Sequence, residues 1–221
     1  MKIISMSIFA LALFLTLIGS TEARSFEANE TLNEGLLERQ IVYFITGAPV
    51  DVQPAEITDS ASILKNYLTT YFPRAELTVI HNSLWSKVCE DIKAVKAQAN
   101  APVKVILIGH SYGAQAGVTI AQCLLETKIK VDRLITIDMI QRPFDVPAEE
   151  IPDNVVTNNG FYETSDPLLQ GARNNARTDR TEQGITNTEI KVPGAVSPHF
   201  EIVRKVFEEG IVEALVAEEL K

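Results

Sequence analysis

A chain of 221 residues with a formal net charge of −9 at pH 7 repels phosphate, which argues against nucleic acid as a partner. Hydrophobic residues make up 46% of it, enough for one packed core, and no internal repeat, low-complexity tract or interior linker divides it. Three scattered histidines and two cysteines offer no metal-ligand spacing, and no phosphate-binding glycine loop is present, so neither a metal nor a cofactor is expected.

Lys2 precedes a largely apolar run over residues 3–18, and small residues at Thr21 and Ala23 suit a signal peptidase. This is the pattern of a secretory signal peptide over residues 1–23, the alternative being an uncleaved N-terminal anchor. Cleavage leaves residues 24–221 as one domain, secreted or periplasmic. Residues 24–40 form a polar lead-in without periodicity. The first strand is expected over residues 41–45 and ends in Thr46-Gly47-Ala48-Pro49. An amphipathic helix follows over residues 57–71, with Ile57, Ala61, Leu64, Leu68 and Tyr71 on one face, and Pro73 stops it.

A second strand over residues 77–80 leads through His81-Asn82-Ser83 into a helix over residues 84–98. Leu84 and Trp85 there either line an acyl pocket or seat that helix on the sheet, the more usual role. Val103, Val105, Ile106, Leu107 and Ile108 then give a continuous apolar run, as expected of a strand buried on both faces. It breaks at Gly109 and passes into a helix that runs to about residue 126. The fourth strand covers residues 131–137 and ends in Asp138. A loop punctuated by Pro143, Pro147 and Pro152 is stiff and polar, which points to an open site without a lid. A fifth strand is expected over residues 154–162 and a sixth over 188–192. The polar loop between them carries Arg173, Arg177 and Arg180 beside Asp166, Asp179 and Glu182, and reads as a solvated mixed-charge loop rather than an anion site. The chain closes in one long helix from Pro198, with Val203, Val206, Phe207, Ile211, Ala214 and Leu215 at helical spacing.

Strands alternating with helices in this way imply an α/β fold: a mostly parallel six-stranded sheet with helices on both faces. Open sheets of this kind place their sites beyond the C-terminal ends of the strands, where strand order reverses. If the first and third strands flank that point, the loop after Ile45 faces the turn after Ile108. Cys89 and Cys123 fall on helices covering the same face, but their positions along those helices differ by about 10 Å of rise. Two buried thiols are therefore expected rather than a bridge.

The turn after Ile108 reads Gly109-His110-Ser111-Tyr112-Gly113. A serine that turns from strand to helix in so short a space is held at strained backbone angles, and side chains two residues away on either side would collide. The turn lifts the Ser111 hydroxyl above the sheet and puts the Tyr112 N–H at a helix N-terminus, where it can donate to a developing oxyanion. A serine hydroxyl is a weak nucleophile until a base takes its proton, and the base needs a third group to fix its tautomer. His199 follows the last strand, with Ser197 placed to cap its helix and Pro198 at the first helical position. His81 precedes the serine in sequence, and His110 is expected to point away from it.

This Ser, Asp, His order around a Gly-x-Ser-x-Gly turn resembles the α/β-hydrolase family, in particular its small lipase-, esterase- and cutinase-like members, from residue 41 to the final helix. The resemblance implies a triad, an oxyanion hole and hydrolysis of an ester, thioester or amide through an acyl-enzyme. Ser111 is then the nucleophile and His199 the base. Asp138 is the favoured acid because a charge ending an apolar strand needs a partner, and Asp166 is the alternative. Tyr112 and Ala48 supply the oxyanion donors, with Thr46-Gly47 standing where the family often has His-Gly. The expected substrate is a small-molecule or lipid carboxylic ester, with membrane contact only through that substrate or an uncleaved N-terminal segment. A thioesterase or acyltransferase using the same triad, or a binding protein that has lost catalysis, are the alternatives.

Overall fold

The β-branched runs of the sequence pair side by side in parallel. In the computed structural model β1 (Arg39–Thr46), β2 (Ala75–His81), β3 (Val103–His110), β4 (Val131–Ile137), β5 (Val155–Tyr162) and β6 (Ile185–Glu189) form one six-stranded sheet in the order β2-β1-β3-β4-β5-β6. Every neighbouring pair is parallel. The structure describes residues 38–47, 54–140, 150–166, 175–176 and 183–221. The expected signal peptide, the proline-punctuated loop from residue 141 to 149, Ala48 and the three loop arginines lie outside them. Contacts group the chain into two units, of which the larger, Arg39–Ala99 with Val103–Lys221, holds all the elements described here.

From β1 the chain first runs outward to β2 and then crosses back to β3, so strand order reverses between β1 and β3. Right-handed crossovers then put the connecting helices on opposite faces. The helix between β1 and β2, α1 (Ala55–Tyr71), packs on one face. The next two, α2 (Trp85–Gln98) and α3 (Tyr112–Leu125), pack on the other. The alternation of β1 shows both layers. Ile41, Tyr43 and Ile45 join Val88, Ile92 and Val118 on one side, while Val42 and Phe44 join Ile57, Leu64, Leu68 and Phe207 on the other. Among these, Phe44 and Phe207 meet with ring centroids 5.6 Å apart. Each such large side chain, fully buried, contributes about 1.5–3 kcal/mol relative to exposure. Among the described residues no helix is long and apolar enough to cross a membrane.

The structure departs from the sequence reading at two elements. The sixth strand spans Ile185–Glu189 rather than residues 188–192, because it is an edge strand whose residues are mostly exposed. Ile190 and Val192, the apolar residues that marked it, are buried just past its end. The closing helix is two helices, α4 (Pro198–Glu208) and α5 (Ile211–Leu220), parted at Gly210, whose φ of 68° is left-handed. Glycine takes that conformation without the steric cost of a side chain and so ends α4. Because both helices face the same core, the apolar spacing runs on across the break.

The cysteines are a correction. Cys89 and Cys123 form a disulfide with Cα atoms 6.4 Å apart. The offset expected from the sequence assumed that α2 and α3 start level and run side by side. Instead α3 packs against both α2 and the 3-10 turn Asn82–Leu84 that precedes it, so the two helices meet near the start of α2. Replacing both cysteines by alanine should lower the unfolding free energy by about 2–4 kcal/mol, as expected for a cross-link closing a loop of this length. Urea unfolding of the oxidised protein and the double variant would measure it, and coincident curves would count against a stabilising bridge.

Candidate active site

The turn from β3 into α3 is strained in the way the sequence requires. Ser111 has φ 59° and ψ −127°, a conformation in which a non-glycine residue costs about 1–3 kcal/mol and which must be held by its surroundings. Two contacts hold it. Its N–H donates to the Ile137 carbonyl at 3.0 Å, and its carbonyl accepts from the Ala114 N–H at 3.1 Å. The flanking glycines are required by space alone: a Cβ on Gly109 would lie 2.4 Å from the Ala114 Cα, and one on Gly113 would lie 2.1 Å from the Ile45 carbonyl oxygen.

The strand reversal brings the end of β1 against this turn. A Cβ on Gly47 would stand 2.7 Å from the Ser111 Cβ and 3.0 Å from its Oγ, so only glycine lets the chain pass there. Asn82, in the turn after β2, donates from Nδ2 to the Gly47 carbonyl at 2.8 Å and fixes how that peptide faces. Tyr112 is the first residue of α3, with its N–H at the helix N-terminus.

At the other flank, Asp138 directly follows β4 at φ 44°, fully buried. Its N–H donates to the Phe161 carbonyl at 2.7 Å, and its Oδ1 accepts from the Glu163 N–H at 3.2 Å. Its Oδ2 lies 2.5 Å from Nδ1 of His199, which is buried in the first turn of α4. Burial raises the Asp138 pKa above the ordinary carboxylate value, and the hydrogen bond and charge of His199 work against that rise. Asp166 belongs to the turn after β5, where its N–H and those of the Ser165 backbone and hydroxyl all converge on the Glu163 carboxylate. Of the two candidate aspartates, it is Asp138 whose carboxylate meets the His199 ring. Ser197 caps α4 through its carbonyl, which accepts from Phe200 and Glu201, and makes no side-chain cap bond.

Sequence reasoning missed His110, Glu163 and Asn82. His110, expected only to face away from Ser111, packs its ring on that of His199 with centroids 4.6 Å apart. Its Nε2 lies 2.9 Å from the His199 carbonyl oxygen. Burial, then the neighbouring His199, lowers its pKa to about 3, so it is neutral. A neutral imidazole facing a carbonyl must present N–H, which puts the proton on Nε2. The available signal was a titratable residue inside an otherwise apolar buried strand, which needs a partner. Nothing local in the sequence named that partner.

Leu84 and Trp85 remain 45% and 39% exposed at the rim beyond β2, while Val88, Cys89 and Ile92 seat α2. Between α1 and the edge strand β2, a cleft of about 350 Å³ is lined by Ile57, Ala61, Leu77 and Val79, with Lys65 and Thr46. Thr46 directly precedes the Gly47 that touches Ser111.

The strand order, the strained serine turn at the strand reversal and the helices on both faces define an α/β-hydrolase fold. No model of a known protein family matches the chain. No curated protein matches its sequence. Among solved structures, the type II thioesterase BorB from the borrelidin biosynthetic cluster shares the fold, at 13% identity over 83% of this chain and 93% of BorB with a TM-score of 0.53. Weaker likenesses are the NocB thioesterase domain, solved as a covalent complex with a fluorophosphonate nocardicin G analogue (12% identity, 80% of this chain, 94% of that one, TM-score 0.45), and a cutinase-like protein from Cryptococcus sp. (16% identity, 46% and 53%, TM-score 0.33).

Proposed function

We propose that the chain is an exported serine hydrolase that cleaves a carboxylic ester through an acyl-enzyme. The observation that carries this reading is the buried His199–Asp138 pair, 2.5 Å between Nδ1 and Oδ2, beside the strained Ser111 turn. With Nδ1–H donating to Asp138, the lone pair of His199 sits on Nε2, the tautomer a general base needs. Nε2 takes the Ser111 proton as Oγ bonds to the substrate carbonyl carbon. The carbonyl electron pair moves onto oxygen, where the Tyr112 N–H and the Ala48 N–H stabilise it. When the oxyanion collapses, the ester C–O bond breaks and the departing alkoxide takes the proton from His199. Water then repeats the sequence on the acyl-enzyme, releasing the acid and restoring Ser111.

A disulfide in a chain with an expected signal peptide supports an oxidising compartment, secreted or periplasmic. The fold likeness to BorB favours one second reading, a thioester substrate, for which the same residues serve and a thiolate leaves. Fold alone does not choose between them. An acyltransferase would differ only in admitting an alcohol where water attacks.

A fluorophosphonate probe should label the purified protein and leave Ser111→Ala unlabelled. Turnover of a p-nitrophenyl ester and of an N-acetylcysteamine thioester carrying the same acyl group then separates the two substrates. A folded wild-type protein that neither labels nor turns over either one would overturn the hydrolase reading in favour of a binding protein.

A further inference from the structure

We propose that His110 is a positioning residue for His199: it links the nucleophile's turn to the base by holding the His199 backbone carbonyl and one face of its ring. The inference rests on the serine-hydrolase reading above. Ser111 and His199 come from distant parts of the chain, and each sits at the start of a different helix on a different face of the sheet. Asp138 holds only the Nδ1 edge of the His199 ring. That contact orients the imidazole but leaves the first turn of α4 able to shift along or away from the β3 turn. His110 removes this freedom. It is covalently next to Ser111, its Nε2–H reaches the His199 carbonyl at 2.9 Å, and its ring lies against that of His199 at an interplanar angle of 37°.

Phe200 completes the cluster, 5.9 Å from His110 and 5.1 Å from His199 between ring centroids, the latter edge-on. The base is thus gripped at its ring edge by β4, and at its backbone and ring face by the residue preceding the nucleophile. The chemistry also requires this neighbour to be uncharged. His199 becomes a cation when it accepts the Ser111 proton, and a second cation against its ring would oppose that step. A buried neutral imidazole supplies both the hydrogen-bond donor and the packing surface without a charge.

The test uses His110→Phe, which keeps a ring and loses the donor, and His110→Gln, whose amide nitrogen falls near the place of Nε2. Misplacement of about 1 Å costs on the order of 10²-fold in rate. His110→Phe should therefore label with the fluorophosphonate, and turn over ester, about 10- to 100-fold more slowly, with KM changed by less than about twofold. His110→Gln should recover most of the loss. Thermal unfolding of each variant reports whether it is folded. If His110→Phe does not fold, His110→Asn replaces it, because its shorter amide does not reach the carbonyl. The proposal is overturned if the donor-lacking variant matches wild type, or if it and His110→Gln lose activity equally. Wild-type protein that fails to label removes the hydrolase reading itself, whereas wild type that labels alongside an equally reactive His110→Phe removes only this inference.

Discussion

Asp138→Asn should slow fluorophosphonate labelling of Ser111 by about 10³- to 10⁴-fold with the protein still folded, the penalty for a base held in the wrong tautomer. Asparagine fits the space of Asp138, but its amide presents N–H where the carboxylate presented a lone pair, so His199 Nδ1 can no longer donate there. Nε2 is then the protonated nitrogen and cannot take the serine proton. Charge adds to the effect, because the fully buried carboxylate also stabilises the imidazolium. Asp166→Asn should change labelling by less than about tenfold, since it is the Asp138 carboxylate that holds the His199 ring. Labelling rates of the two variants side by side decide the matter. A severe loss in Asp166→Asn with none in Asp138→Asn would reassign the acid.

The second large effect is on stability in acid. His110 ionises near 6.5 in an unfolded chain, but burial and His199 hold its pKa down to about 3 in the folded one. Between those values the unfolded state binds a proton that the folded state refuses. Stability therefore falls as pH falls, by about 1.4 kcal/mol per pH unit, towards about 5 kcal/mol over the whole window. Above pH 6.5 both states are neutral at this site and it contributes no slope. Asp138 and Glu213 act with the opposite sign, since burial raises both and the folded protein takes up their protons before the unfolded chain does. They offset part of the loss at the acid end. Urea unfolding of wild type and His110→Gln from pH 7 to 4 isolates the histidine: the two stability curves should converge as pH falls or cross, with wild type steeper. Parallel curves would show that His110 carries no such penalty.

How much could be read from the sequence followed from how local each cause was. The Ser111 turn depends on a few residues whose steric demands are fixed by their neighbours, and the glycine contacts are those demands in three dimensions. The apolar runs of β3 and β4 announce strands buried on both faces for the same reason. The sixth strand was displaced because an exposed edge carries no apolar signal, and the bend at Gly210 was hidden because both helices share one core. The disulfide depended on how two helices cross, and the role of His110 on a residue 89 positions away. Neither relation is written in any short window of sequence.

The Cys89–Cys123 bond spans 34 positions, and β3 with Ser111 lies between its ends. The stretch that carries Ser111 is therefore part of a closed covalent ring, while Gly47, Asp138 and His199, the other residues of the proposed site, belong to the tails on either side of it. A protease that cuts one peptide bond within the ring opens it without dividing the molecule, because the pieces stay joined through sulfur. A chain built this way can be cut once inside the ring and remain one molecule, until a reductant reaches the bridge.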